Sequence, residues 1–151
     1  MSLEIKINEE LKAAMKNGDK LRLDTLRSVR ASIIEFAKSG AGREMTSDDE
    51  IKILNSLAKK RKDAIDMYSQ AGRDDAAAQE TAELAIIQEF LPKQLTDEEI
   101  QEIVKGIIEK VGATSEKDFG KVMGPAMKAL SGQADGNKVQ SIVKSILGAT
   151  N

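Results

Sequence analysis

A chain of 151 residues suits one domain or two small ones and can bury a real core. Its 40% hydrophobic and 32% charged residues fit a folded globular protein and exclude disorder, and no apolar run approaches a membrane span. There is no histidine and no cysteine, which excludes Ser-His and Cys-His nucleophilic pairs, the usual zinc sites and any disulfide framework. The opening MSLEIKINEE has no signal-peptide pattern, so a cytoplasmic protein is expected, without membrane contact. No P-loop or GxGxxG follows a strand. The chain is therefore expected to carry no metal, no cofactor and no catalytic site of its own.

Apolar spacing predicts helices throughout and no strand. The first helix is expected over about Leu3–Lys16, with Ile7, Leu11 and Ala14 inward and Asn17-Gly18 closing it. Asp19 caps a second helix carrying Leu23, Leu26, Ile33 and Ala37. Ser39-Gly40-Ala41-Gly42 reads as a loop. Thr46 and Ser47 offer N-caps, and Ser47 with Glu50 a capping box, for a long third helix from about Asp48 to Gln70, on a seam of Ile51, Leu54, Ala58, Ile65 and Tyr68. A fourth helix from near Asp75 to Leu91 stops at Pro92. Short links between four helices imply an antiparallel bundle over residues 1–92.

Charges fall on these seams. Arg30, Arg61 and Glu80 continue the three-four spacing of helices two, three and four. They are expected to be at least partly buried as an ion-pair layer, or else to form an anion or RNA-backbone site at a gap in the bundle. Truncating Glu80 would then strand a charge, at about 3 kcal/mol. Lys59-Lys60-Arg61-Lys62 is the densest basic run, but four consecutive helical residues spread around the axis, so a solvated face is expected.

Residues 95–151 are expected to form a smaller helical subdomain. Thr96 with Glu99 forms a second capping box ahead of Ile100, Ile103, Val104, Ile107, Ile108 and Val111, closed by Gly112. The stretch 119–139, FGKVMGPAMKALSGQADGNKV, is dense in glycine and lysine. Gly124-Pro125 is expected to interrupt a helix, Gly132 to end one and Asp135 to cap the last, which carries Val139, Ile142, Val143, Ile146 and Leu147. The net charge of −2 hides an asymmetry: from Gly120 onward Lys121, Lys128, Lys138 and Lys144 stand against Asp135 alone.

Several segments together resemble the GatB/YqeY family along most of the chain. They are LRSVRASI (26–33), KRKD (60–63), QAGR (70–73), QEFLPKQL (88–95), GKVMG (120–124) and ADG (134–136). The resemblance implies an all-α protein with an N-terminal bundle and a smaller C-terminal helical subdomain. Such modules occur free-standing in the bacterial cytosol, as the tail of the B subunit of glutamine-dependent tRNA amidotransferases, and appended to some glutaminyl-tRNA synthetases. In them the tail subdomain is implicated in tRNA binding. Carried over, Lys121, Gly124 and Lys128 with Ala134-Asp135-Gly136 are the tRNA-facing candidates; the lysine excess and the glycine-rich bend add Gly132, Gln133 and Lys138. The position of Gln133 is often basic in the family, so one phosphate contact is missing here. Asp135 and Gly136 are assigned to the bend, because an N-cap carboxylate occupies its own helix's amides and repels an anion. The implied partners are tRNA and an amidotransferase or aminoacyl-tRNA synthetase. The associated carbon–nitrogen ligase activity, with glutamine as amide donor, would belong to complexes with separate catalytic domains. The alternative reading is a protein-interaction adaptor whose charged bends are structural.

Overall fold

The computed structural model describes residues 1–40 and 42–149; Ala41 of the expected loop lies outside them. Among the described residues the protein is all-α, with no strand. The helices are α1 (Leu3–Asn17), α2 (Lys20–Lys38), α3 (Ser47–Gln70), α4 (Asp74–Gln88), α5 (Asp97–Val111), α6 (Phe119–Ala129) and α7 (Gly136–Ala149), with a 3₁₀ turn at Glu116–Asp118. The chain divides into two compact units, Met1–Leu91 and Pro92–Asn151.

In the first unit α1 packs on α2, α3 on α4, and α2 on both α3 and α4. Leu3, Ile7, Leu11 and Ala14 of α1 meet Leu26, Val29 and Ile33 of α2, Leu54, Leu57 and Ala58 of α3, and Ile87 of α4. These positions recur at three- and four-residue steps, so each helix buries one stripe. Arg22 ties the outside of the unit, holding Glu10 and Glu89 at 2.7 Å each.

Of the two expected N-caps of α3, Thr46 is the one used, and the box pair differs from expectation: its partner is Asp49 rather than Ser47 pairing with Glu50. Thr46 Oγ1 accepts from the Asp49 amide at 3.3 Å, while Asp49 Oδ2 accepts from the Thr46 amide at 2.9 Å and its hydroxyl at 2.8 Å. Arg43 grips the same carboxylate through both terminal nitrogens, at 2.5 and 3.1 Å. Glu50 is unavailable for a box because its Oε1 accepts from the Leu3 amide at 3.1 Å, fastening the start of α1 to α3. Asp49 is buried, and Arg43 first, then the Thr46 amide and hydroxyl, hold its carboxyl well below the ordinary value near 3.8. A depressed pKa stabilises the fold above the unfolded value, and this is lost as pH falls through the folded value. Asp49→Asn should therefore lower Tm at pH 7, with the gap to wild type closing as pH falls below about 4. A gap that is constant with pH would show that the charge of Asp49 contributes nothing.

The ion-pair layer is real in part and has a different membership. Arg30 is exposed. The buried stripe of α2 runs through Thr25, Leu26, Val29 and Ile33, and Arg30, about 100° beyond Val29, turns out of it. Arg61 and Glu80 do meet, but the nearer carboxylate is Glu83: Arg61 Nε stands 3.3 Å from Glu83 Oε2 and 3.7 Å from Glu80 Oε2. The three side chains are 22%, 12% and 19% exposed. Burial, and then the Glu83 carboxylate, push the Glu80 carboxyl above its ordinary value, with Arg61 opposing. Arg61 Nε and Glu80 Oε2 are buried without a hydrogen-bond partner. Glu83 was legible, lying three residues past Glu80 and four before Ile87 on one face of α4.

The second unit packs α5, α6 and α7 around Ile100, Val104, Val122, Ala126, Leu130, Val139, Val143 and Leu147. Thr96 caps α5 by accepting from the Glu99 amide at 3.2 Å, while the Glu99 carboxylate lies 3.9 Å from Lys93 Nζ.

Candidate nucleic-acid interface

Helix α6 runs unbroken through Gly124-Pro125, where an interruption was expected. Two features allow it. Gly124 has no Cβ to clash with the proline ring. Lys121, whose carbonyl loses its donor at Pro125, is exposed, so water can serve that oxygen. Pro125→Ala should raise stability by about 1–2 kcal/mol, because an interior proline costs about 3 and its restriction of the unfolded chain returns roughly 1. Thermal unfolding measures this; a loss of stability would mean that the packing of Val122 and Ala126 depends on the proline.

Continuity decides the surface. Lys121, Gly124, Pro125 and Lys128 stand at i, i+3, i+4 and i+7, opposite the buried Val122, Ala126 and Leu130, and all four are exposed. The two lysines are thus about 10 Å apart along one helix face. A Cβ added at Gly124 would meet nothing within 4 Å, so the backbone there is open to solvent beside the Pro125 ring.

The cations differ in how they are engaged. Lys121 Nζ lies 3.5 Å from Asp118 Oδ1. The Thr114 amide, donating at 2.9 Å, and then Lys121 draw the Asp118 carboxyl below its ordinary value against some desolvation. Lys138 Nζ lies 3.0 Å from Asp97 Oδ1, at the start of α5. Lys144 sits 5.6 Å from the centre of the Phe119 ring. Lys128 is exposed and makes no ion pair or ring contact among the described residues.

Gly132 is buried rather than a surface contact, and Gln133 is half-buried with its backbone engaged. Gly132 is buried at φ 74°, a left-handed conformation suited to glycine, and its carbonyl accepts from Gln94 Nε2 at 2.7 Å. The Gln133 carbonyl accepts from the Leu95 amide at 2.9 Å, and the Gln133 amide donates to Leu130. Gln94 Nε2 also donates to the Pro92 carbonyl at 2.9 Å. This clasp explains why glycine falls at 132: its backbone must turn left-handed and present a carbonyl inward. Gln94 was missed by sequence reasoning; its only signal was its place beside Pro92. Asp135 Oδ1 accepts from the Asn137 amide at 3.0 Å, and the Asp135 carbonyl accepts from Val139, the geometry of an N-cap. A Cβ at Gly136 would stand 3.2 Å from Met127 Cε, so the start of α7 lies close against the end of α6.

Among the described residues no cluster of His, Cys, Asp and Glu could hold a metal ion, and no helix is long and apolar enough to cross a membrane.

Three fungal proteins are similar to this chain. A Pyrenophora tritici-repentis protein named "Altered inheritance of mitochondria protein 41, mitochondrial" is 28% identical over 95% of this chain and 80% of its own length. A protein of the same name from Vanderwaltozyma polyspora is 28% identical over 77% of this chain and 66% of its own length. A Schizosaccharomyces pombe protein is 31% identical over 64% of this chain and 77% of its own length. Two of the three are mitochondrial by name, which does not fit the plain cytoplasmic placement expected above, and none is bacterial. The model of the Yqey-like proteins matches residues 4–147, from the first turn of α1 to the last turn of α7, and so takes in the clasp and the lysine face. The chain belongs to the Yqey-like protein family.

Proposed function

We propose that the C-terminal unit is a non-catalytic tRNA-binding module, with the exposed face of α6 as its contact surface. The observation that carries this reading is the alignment of Lys121, Gly124 and Lys128 on one uninterrupted face. Between the two ammonium groups stand only Gly124, without a side chain, and the compact ring of Pro125, so a phosphodiester backbone can approach the helix closely. Among the described residues Lys128 has no ion-pair partner to displace, and Lys121 is mostly exposed where it meets the half-buried Asp118 at 3.5 Å. Lys138 is a secondary contact, because Asp97 holds it at 3.0 Å. The resemblance to amidotransferase tails supports the choice of tRNA, and an amidotransferase or aminoacyl-tRNA synthetase as the enzyme the module serves.

Contacts of this kind read phosphates and shape, so binding is class-level. The test is filter binding of the full chain to unfractionated tRNA and to two purified tRNA species at low salt. The expected result is saturable binding with similar affinities for both species. No saturable binding would end the reading and leave a protein-interaction adaptor.

A further inference from the structure

The first unit has a surface feature that the tRNA reading does not use. An open groove of about 330 Å³ runs between α2 and α3. Its floor is apolar: Phe36 and Ile53 are half-buried and Leu57 is buried. One rim carries Lys52 and Lys60, two turns apart on α3 and about 12 Å along the axis. The other rim carries Glu35 of α2. All three charged side chains are exposed, and none has an ion-pair partner among the described residues.

We infer that this groove docks an amphipathic helix of a partner protein, with acidic residues on one flank of its apolar stripe. The floor accepts apolar side chains at i, i+3 or i+4 and i+7. The α3 rim takes two carboxylates about two turns apart, and Glu35 takes a cation on the opposite flank. A small molecule suits the groove less well, because such sites enclose most of their ligand and this one is open along its length. RNA suits it less well too: two cations, a facing carboxylate and an apolar floor with one aromatic ring make neither a phosphate track nor a stacking platform. The asymmetric rims also fix the direction in which the helix lies.

The probes are three synthetic helix-stabilised peptides, titrated into the isotopically labelled full chain and followed by NMR. The first has a leucine stripe flanked on one side by two glutamates eight residues apart. The second has lysines in place of the glutamates. The third keeps the glutamates but replaces the stripe with glutamine. Only the first should bind wild type, with shifts concentrated at residues 32–39 and 52–60. Lys52→Glu with Lys60→Glu, both exposed, should weaken the first peptide about tenfold or more and admit the second. Failure of the first peptide to bind, equal binding of the third, shifts outside the groove, or tRNA shifting the same residues would each overturn the inference.

Discussion

Arg61→Ala should destabilise the protein by about 3 kcal/mol, read as a loss in chemical denaturation. The arginine holds two carboxylates, Glu80 and Glu83, on neighbouring turns of α4, all three side chains mostly out of water. Removing it leaves two partly buried anions facing each other and also strips packing from the arginine stem. The same geometry revises the cost of truncating Glu80. Its loss leaves Arg61 with the nearer Glu83 and relieves a carboxylate–carboxylate contact, so the penalty of about 3 kcal/mol expected from the sequence shifts to the arginine. The sign follows from the raised pKa of Glu80. Such a group adds stability below its unfolded value, near 4.5, and loses it as pH rises through the folded value. Glu80→Gln should therefore be more stable than wild type at pH 7 and equal to it near pH 4. A cost under about 0.5 kcal/mol for Arg61→Ala would mean that water screens the cluster as at an ordinary surface.

Lys121→Ala, Lys128→Ala and Lys138→Ala together should weaken tRNA binding by tenfold or more at low salt, with Tm nearly unchanged. The three side chains lie on the surface, and exposed substitutions move stability by about half a kcal/mol or less. Tenfold is about 1.4 kcal/mol, a modest demand on three phosphate contacts. The single variants should rank in order of internal engagement: Lys128→Ala largest, Lys121→Ala next and Lys138→Ala smallest, because Asp97 already holds Lys138. Equal affinity of the triple variant and wild type would remove the face of α6 from the binding surface.

Helix positions were legible because apolar spacing alone decides them. The stripes at Ile7, Leu11, Ala14 and at Val139, Val143, Leu147 are buried as their periods require. Details settled by tertiary partners were not legible. Ser47–Glu50 fits the usual box pattern better than Thr46–Asp49, but the Leu3 amide engages Glu50 and Arg43 holds Asp49, and Thr46 is the cap. Arg30 was placed on a seam by one alternation of threes and fours where α2 follows another. Gly124-Pro125 reads locally as a break, yet the glycine spares the proline its worst clash, and Lys121, whose carbonyl is freed, is an exposed residue. Of the candidate site, the lysines were visible as a charge excess. The burial of Gly132 was not, because it depends on Gln94, 38 residues away in sequence.

The dependence of tRNA affinity on salt tests the central claim most directly. Each phosphate neutralised by a lysine contributes about one unit to the slope of log K against log salt. Wild type should show a steep slope, and the Lys121, Lys128 and Lys138 triple variant a slope shallower by about two, since Lys138 contributes least. An identical slope in the two proteins would contradict the assignment of tRNA binding to the α6 face.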